Sequence, residues 1–512
     1  MKTFAAIDVG SFELGMKIFE FSGRNSMREI DHIRHRIDLG SETYATGKLR
    51  YEKMQELCRV LREYTTIMKA YKVDSYRAYG TSAIREMKNM DIALGQIEQN
   101  TGIHMEVLSN SEQRFLDYKS IASKGELFNR IIEKGTAIVD IGGGSIQVSL
   151  FDKDTLVSTQ NLRIGVLRLQ ERLGGLNAAP SQMENLVDEM AGAQLSVFKK
   201  LYLKDREIEN IIVVDDYLSK WIAGYDPGHE QIGYVKREEY DRFMNRIREK
   251  SREECARALG VTEDEAALLF ISSVLMNRII KMLDARLIWA PGVTLCDGIA
   301  YEYAEQQKMV ICEHDFEKDI LACAKTMSKR YMGSRRRAET LINLALSIFD
   351  SMKKIHGLGR RERLYLQIAA ILHDCGKYIS LVNLGECSYH IIMSTEIIGL
   401  SHMEREIVAY IVKFNHDEFQ YYEKLSAESS LDKNAYLIIA KLTAILKIAN
   451  GLDRSHKQKF ENVKIMLKDN ELIFTVNTQE DITLEKGLFT YRAKFFEEVY
   501  NVRPVIKQRR TL

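Results

Sequence analysis

Two short stretches of this chain carry residue types that handle phosphate. Near the start runs Ala5-Ala6-Ile7-Asp8-Val9-Gly10-Ser11, and further on comes Ala137-Ile138-Val139-Asp140-Ile141-Gly142-Gly143-Gly144-Ser145. Each is an apolar run ending in an aspartate, then glycine and serine, then a second alternating run (Leu14 to Phe21; Ile146 to Phe151). The pattern predicts a β-hairpin with a carboxylate at the end of its first strand and a glycine-rich turn. Glycine lets the backbone come close to an anion, and the turn's N–H groups with the serine hydroxyl cradle a phosphate. The aspartate can hold a divalent cation or orient a water. A single Asp-Gly-Ser turn is usually only a turn. Two copies with matching strands predict a duplicated phosphate-binding fold.

The elements that must position these turns alternate along the first part of the chain. Lys53 to Lys69 reads as an amphipathic helix, Asp74 to Tyr79 as a strand ending at Gly80-Thr81-Ser82, and Glu112 to Ser123 as a helix. The plan then repeats, with a hairpin over 136–151, a helix over 181–200, a strand over Glu209 to Val214, and Asp284 to Gly292 leading into a further helix. Strands alternating with helices indicate α/β domains. From about 306 to about 456 long amphipathic helices take over. Asn462 to Thr478 reads as a hairpin around Asp469-Asn470, Leu484 to Tyr500 as a helix, and the tail carries Lys507, Arg509 and Arg510. The expected domains are 1–124, 125–305, 306–456 and 457–512.

Composition narrows the class. A chain of 512 residues is too long for one core. Its net charge of +1 creates no global field that recruits nucleic acid, and no specific nucleic acid is expected. Seven cysteines, odd in number and without a Cys-x-x-Cys pair, fit reduced thiols rather than disulfides or a zinc site. The chain opens on a strand without a basic-then-apolar leader, and no uninterrupted apolar run approaches membrane-spanning length. A soluble, cytoplasmic protein is expected.

Further motifs follow the first hairpin in order. They are Gly80-Thr81-Ser82-Ala-Ile-Arg85, Leu108-Ser109-Asn-Ser-Glu112-Gln113, Arg163-Ile-Gly165-Val-Leu-Arg168 and Cys296-Asp297-Gly298-Ile-Ala-Tyr301. With the two hairpins, this set resembles the exopolyphosphatase / guanosine pentaphosphate phosphatase family over residues 1–305. The resemblance implies two duplicated actin-like α/β domains, of the sugar kinase, heat-shock protein and actin superfamily, around a cleft. Residues 306–512 resemble the all-helical C-terminal part of the long members, which derives from the histidine–aspartate (HD) phosphohydrolase fold; His373-Asp374 carries that likeness. The implied activity is release of terminal phosphate from polyphosphate or guanosine pentaphosphate, by in-line attack of water with Mg2+ or Mn2+ and no organic cofactor. The implied partners are polyphosphate or guanosine penta- or tetraphosphate and a second copy of the chain as a homodimer. Carried over residue by residue, Asp8 and Asp140 would organise metal and water, and Gly10, Ser11, Thr81, Gly142, Gly143, Gly144 and Ser145 would cradle phosphate. Arg85 would pair with phosphate oxygens.

The chain departs from the family in its expected cleft. Phe12-Glu13 follows the first Gly-Ser, where the family continues Asn-Ser. The water-orienting glutamate aligns with Gln113, which accepts a hydrogen bond but takes no proton; a one-residue slip offers Glu112 instead. Ile146-Gln147 stands where the family has Thr-Glu, and Asp215-Asp216 where it has a small-residue phosphate loop. Two readings remain: a phosphatase with altered ligands, or a polyphosphate- or nucleotide-binding sensor that has lost chemistry and kept binding.

In the helical part, the HD pattern would supply metal ligands at His373, Asp374 and Asp453. Arg337 falls where the first histidine would stand, and an arginine repels a cation. A structural domain with a degenerate metal site is therefore expected. Lys329, Arg330, Arg335, Arg336 and Arg337 form the densest basic run, and would bind a polyanion in a salt-dependent way. The competing reading is a solvated helix face.

Overall fold

The computed structural model describes residues 2–23, 25–176, 182–214, 218–223, 233–312 and 314–509. Asp215 and Asp216 lie outside the described residues. The chain divides into two compact units, 1–319 and 320–512.

The first unit is built on two sheets whose strands come in the same order. Strands β1 (Lys2–Val9), β2 (Glu13–Phe21), β3 (Met27–Arg36), β4 (Ser75–Gly80) and β5 (Glu106–Val107) form a sheet ordered β3-β2-β1-β4-β5. Strands β6 (Thr136–Ile141), β7 (Ile146–Asp152), β8 (Thr155–Leu162), β9 (Asn210–Val213), β10 (Tyr234–Lys236) and β11 (Leu287–Trp289) form the second, ordered β8-β7-β6-β9-β11-β10. In both, three antiparallel strands precede a strand that runs parallel to the first. Strand β1 is sandwiched by side chains on both faces, so Phe4, Ala5, Ala6, Ile7 and Val9 are all fully buried. That is why β1 reads as a continuous apolar run rather than an alternating one.

The repeat reaches individual hydrogen bonds. Gly10 N donates to Glu13 O at 3.1 Å, and Gly142 N to Ser145 O at 3.0 Å. Thr81 N, just past β4, donates to Val9 O at 3.1 Å, as Val214 N past β9 donates to Val139 O at 3.0 Å. The segment after β3 hangs on Ser11 O through Leu39 N and Gly40 N (2.9 and 2.8 Å), and the segment after β8 hangs on Gly143 O through Leu167 N (3.0 Å). The fold is thus a pair of actin-like α/β domains.

One helix, expected with the second domain, packs on the first. Leu295–Gln306 lays Leu295, Ile299, Ala300 and Ala304 against Phe4, Ala6, Phe19, Phe21 and Leu116. Burial of side chains this size stabilises by roughly 1.5–3 kcal/mol each for the larger ones. The segment that follows also stays with the first unit. Tyr118 Oη lies 2.5 Å from both His314 Nε2 and Asp319 Oδ2, inside a group of rings that includes Phe128 and Phe316. The first compact unit therefore runs on to Asp319.

The second unit is helical to Leu452 and ends in a small sheet, β12 (Lys464–Lys468), β13 (Glu471–Asn477) and β14 (Arg503–Arg509). The expected hairpin is present, with Asp469 and Asn470 both at positive φ (49° and 61°) in its turn. The basic tail, however, forms β14, parallel to β13 after the crossover helix Thr483–Tyr500. Pro504 is accommodated because β14 is an edge strand. Two helices, Glu263–Leu283 and Lys433–Leu452, are long and apolar enough to cross a membrane, which the sequence reading did not expect. Of their apolar windows, 78 % and 72 % is buried within the protein, as in core helices.

Candidate functional site

The two hairpin turns of the first unit meet at a cavity of about 280 Å3. Asp8, Gly10 and Ser11 reach it from the first turn, Asp140, Gly142 and Gly143 from the second, and Thr81 and Ser82 from the end of β4. The turns touch: a Cβ on Gly143 would lie 3.1 Å from Ser11 Cβ and 2.8 Å from Leu167 Cδ1, so only glycine permits this approach. A closed triangle of hydroxyls braces the first turn. Ser11 Oγ, Tyr44 Oη and Ser82 Oγ lie 2.6–2.7 Å from one another. Burial raises the Tyr44 phenol above its usual range, against the opposing effect of the two serine hydrogen bonds, so it stays protonated and can donate. Arg168 stacks over the Tyr44 ring at 4.3 Å and donates to Gly144 O at 2.8 Å.

The helix Asn110–Ala122 decides which of two neighbouring residues faces the cavity. Ser109 and Glu112 form a capping box: Glu112 Oε2 accepts from Ser109 N at 2.9 Å, and Ser109 Oγ accepts from Glu112 N at 3.2 Å. That geometry commits Glu112 to the helix end. Gln113 lines the cavity instead, and its Oε1 is buried without a hydrogen-bond partner. One helical turn further on, Asp117 lines the same cavity and is only 5 % exposed. The sequence reading missed Asp117, although its i+4 spacing from Gln113 on a helix was a usable signal. It also missed Tyr44 and Ser82 as supports of the turn.

Other expected residues stand outside the cavity wall. Arg85 is half-buried and donates to Leu108 O; burial lowers its guanidinium below the usual range. Gly144 packs under Tyr44, where a Cβ would lie 2.6 Å from the phenol oxygen. Ser145 supplies the carbonyl that closes the second turn. Gln147 pairs across the hairpin with Asp140, is 4 % exposed, and has a buried Oε1 without a partner.

The wall has two characters. Among the described residues, Asp8, Glu13, Asp117, Asp140 and Glu265 bring five carboxylates to the wall, against the guanidinium of Arg36, which is ion-paired with Glu265. Phe12, Trp221, Leu259, Val261 and Leu269 form an apolar side. Such a cavity does not attract a free polyanion. Among the described residues no three His, Cys, Asp or Glu side chains converge tightly enough to cage a metal. The donors are all oxygen, however, and Mg2+ is commonly held by one or two carboxylates with waters and substrate phosphates. Asp8 and Asp140, at the matched strand ends, fit that mode.

The second unit holds His373, Asp374 and Asp453 together, with Arg337 beside them. His373 is fully buried; its Nδ1 donates to Ala370 O at 2.9 Å, and its Nε2, without a hydrogen-bond partner, is 3.7 Å from Asp374 Oδ2. Asp374 Oδ2 also lies 3.3 Å from Lys377 Nζ, and Asp453 Oδ1 accepts from Gln458 N at 3.0 Å. Arg337, 8 % exposed, donates to Asn450 Oδ1 at 3.0 Å; burial lowers its guanidinium, and the charges of Asp374 and Asp453 hold it up. A metal does not fit here: the position that would ligate it is a resident cation. His356 and His416 do not replace the missing ligand, since His356 Nε2 bonds Phe349 O (2.9 Å) and His416 Nε2 bonds His373 O (2.5 Å).

The same finding changes the basic run. Arg337 points into the unit, because it is the third residue of helix Arg335–Ser351 and falls on its buried face with Ala338 and Leu341. Lys329, Arg335 and Arg336 remain exposed and Arg330 half-exposed; Arg335 pairs with Glu339 at 2.8 Å and Arg336 with Gln458 Oε1 at 2.7 Å.

Paired actin-like domains whose hairpin turns meet at a cavity define the class of fold. Within it, this chain belongs to the Ppx/GppA phosphatase family: the family profile matches residues 19–307, and that of the family's domain III matches residues 321–492. Over 492 residues it is 21 % identical to the guanosine-5'-triphosphate,3'-diphosphate pyrophosphatase of Vibrio atlanticus (strain LGP32), covering 93 % of this chain and 92 % of that protein. A shorter match, 24 % over 174 residues, links 33 % of the chain to 26 % of a bifunctional 3-dehydroquinate synthase/phosphatase of Fusobacterium nucleatum subsp. nucleatum. Among solved structures, the Aquifex aeolicus member of the Ppx/GppA family superposes with a TM-score of 0.50 at 19 % identity, covering 60 % of this chain and 98 % of that one. An exopolyphosphatase from Cytophaga hutchinsonii superposes with a TM-score of 0.50 at 18 % identity, covering 60 % and 100 %. At these identities the superpositions establish the fold.

Proposed function

We propose that the cleft binds the terminal phosphoryl group of polyphosphate or of guanosine pentaphosphate and hydrolyses it slowly. The observation that carries this reading is that Gln113, and not Glu112, faces the cavity. A glutamine amide can hold the attacking water by a hydrogen bond but does not take its proton. A positioned base is typically worth ~10²–10⁴-fold in rate.

The rest of the wall supports binding. The turn backbone at Ser11 and Gly143, with the Ser11 hydroxyl, offers the phosphate cradle, while the Gly10 and Gly142 N–H groups close their own hairpins. Asp8 and Asp140 would hold Mg2+ or Mn2+, which supplies positive charge for the phosphoryl oxygens and offsets the carboxylates around them. The second reading, a non-catalytic sensor of the same ligands, is favoured by Gln147, whose buried amide sits beside Asp140 where a second carboxylate is expected.

The test is phosphate release and ligand binding by the pure full chain with Mg2+ or Mn2+, on polyphosphate and guanosine pentaphosphate. Slow wild-type turnover and a gain of at least ~10²-fold in Gln113→Glu are expected. A wild-type rate that Gln113→Glu leaves unchanged would sink the slow-hydrolysis reading. Binding without any release selects the sensor.

A further inference from the structure

The geometry points to Asp117 as the group that accepts the proton of the attacking water, with Gln113 reduced to holding that water in place. This rests on the reading that the cleft hydrolyses a terminal phosphate. Both side chains project from one face of helix Asn110–Ala122, four residues apart, into the cavity that the phosphate turns line. Gln113 Oε1 is buried with an unused acceptor, which a water entering the cavity would satisfy. Asp117 is 5 % exposed and lines the same cavity. The other candidate base, Glu112, is committed to the helix cap through Ser109. Asp8 and Asp140 sit at the strand ends beneath the turns, where they serve the cation and the phosphate.

The step balances without a further reactant. Asp117 takes one proton from water as the water oxygen forms its bond to the terminal phosphorus. The bond from that phosphorus to the bridging oxygen breaks, and its electron pair stays on the shortened chain. Orthophosphate leaves with the water's oxygen, and the proton on Asp117 returns to solvent.

The experiment measures phosphate release from guanosine pentaphosphate and polyphosphate between pH 5 and 9, and binding of the same compounds by calorimetry, on the full chain with Mn2+. Asp117→Asn should lower kcat by at least ~100-fold, leave Kd within about threefold, and remove the acidic limb of the kcat–pH profile. In a Gln113→Glu background the same substitution should cost less than about tenfold, because the new carboxylate takes the proton. If Asp117→Asn does not fold, Asp117→Glu carries the test: the limb stays and kcat falls by about tenfold, since only the reach has changed. A kcat within threefold of wild type overturns the proposal. So does an equal loss in both backgrounds with the limb intact, which is the mark of a structural role. Wild type that binds but releases no phosphate overturns it and leaves the binding reading standing. Wild type that binds neither compound overturns the proposed function, and this assignment with it.

Discussion

In the cleft, Gln113 and Gln147 stand where the family resemblance calls for glutamates; in the helical unit, Arg337 stands where it calls for a histidine. The two replacements have opposite physical consequences. Glutamine keeps the size and the acceptor of glutamate and gives up its charge, which leaves one unsatisfied carbonyl oxygen at Gln113 in the cavity wall and another at Gln147 outside it. Arginine brings a permanent positive charge to the place a cation would occupy, so Asp374 and Asp453 face a guanidinium that cannot leave. On the proposed function, the first change leaves a binding site with weakened chemistry. The second puts a buried guanidinium among the core side chains of the unit.

The sharpest way to separate the regions is acid. Burial first, and then neighbouring cations, push His373 down to about 3 and His416 down to about 4, and burial also lowers His356 and His456. Among the described residues of the first unit, His32 is lowered to about 4. A histidine with a depressed folded pKa stabilises above its unfolded pKa of about 6.5, and that stability is lost as pH falls through the folded value. Between pH 6.5 and 4 the helical unit should therefore lose more stability than the first unit. Trp221 and Trp289, the two tryptophans, both lie in the first unit. Tryptophan fluorescence should thus melt later than far-ultraviolet circular dichroism as pH is lowered; coincident transitions at pH 5 would break the comparison.

A smaller effect tests the resident cation. Arg337→Met should destabilise the helical unit by about 3 kcal/mol, because Asp374 and Asp453 lose their counter-charge. Arg337→His should lose less and should carry one more equivalent of Mn2+ than wild type through gel filtration, read by elemental analysis. Equal metal content in the two proteins would show that the guanidinium is not what excludes the ion.

The smallest effect contrasts glycines. A Cβ on Gly298 would lie 2.0 Å from Leu116 O, on the helix that carries Gln113 and Asp117. Gly298→Ala should cost about 2 kcal/mol and weaken phosphate binding in calorimetry, since the helix must shift. In the helical unit, a Cβ on Gly451 would be 3.1 Å from Arg492 Cδ, the flexible part of a side chain that can give way. Gly451→Ala should be neutral or gain up to about 1 kcal/mol from helix propensity.

Much of this was legible along the chain. The paired Asp-Gly-Ser turns gave away the duplication because each lies within one hairpin, where register and turn chemistry are local. Three things were not. Helix Leu295–Gln306 follows the second domain in sequence yet packs on the first, because its apolar face matches Phe4, Phe19 and Phe21. The basic tail became β14 because the edge of β13 was open to it. Asp117 reads as one more polar residue on a helix until the cavity is seen.

The sequence by itself determined two matched hairpin turns, the α/β repeat and the change to helices, since strand period, turn glycines and helix period are set by neighbours a few residues apart. Only the tertiary structure decided between Glu112 and Gln113. Adjacent residues on a helix point about 100° apart, and which of them meets the cavity depends on where the capping box starts the helix and how Gly298 lets it pack.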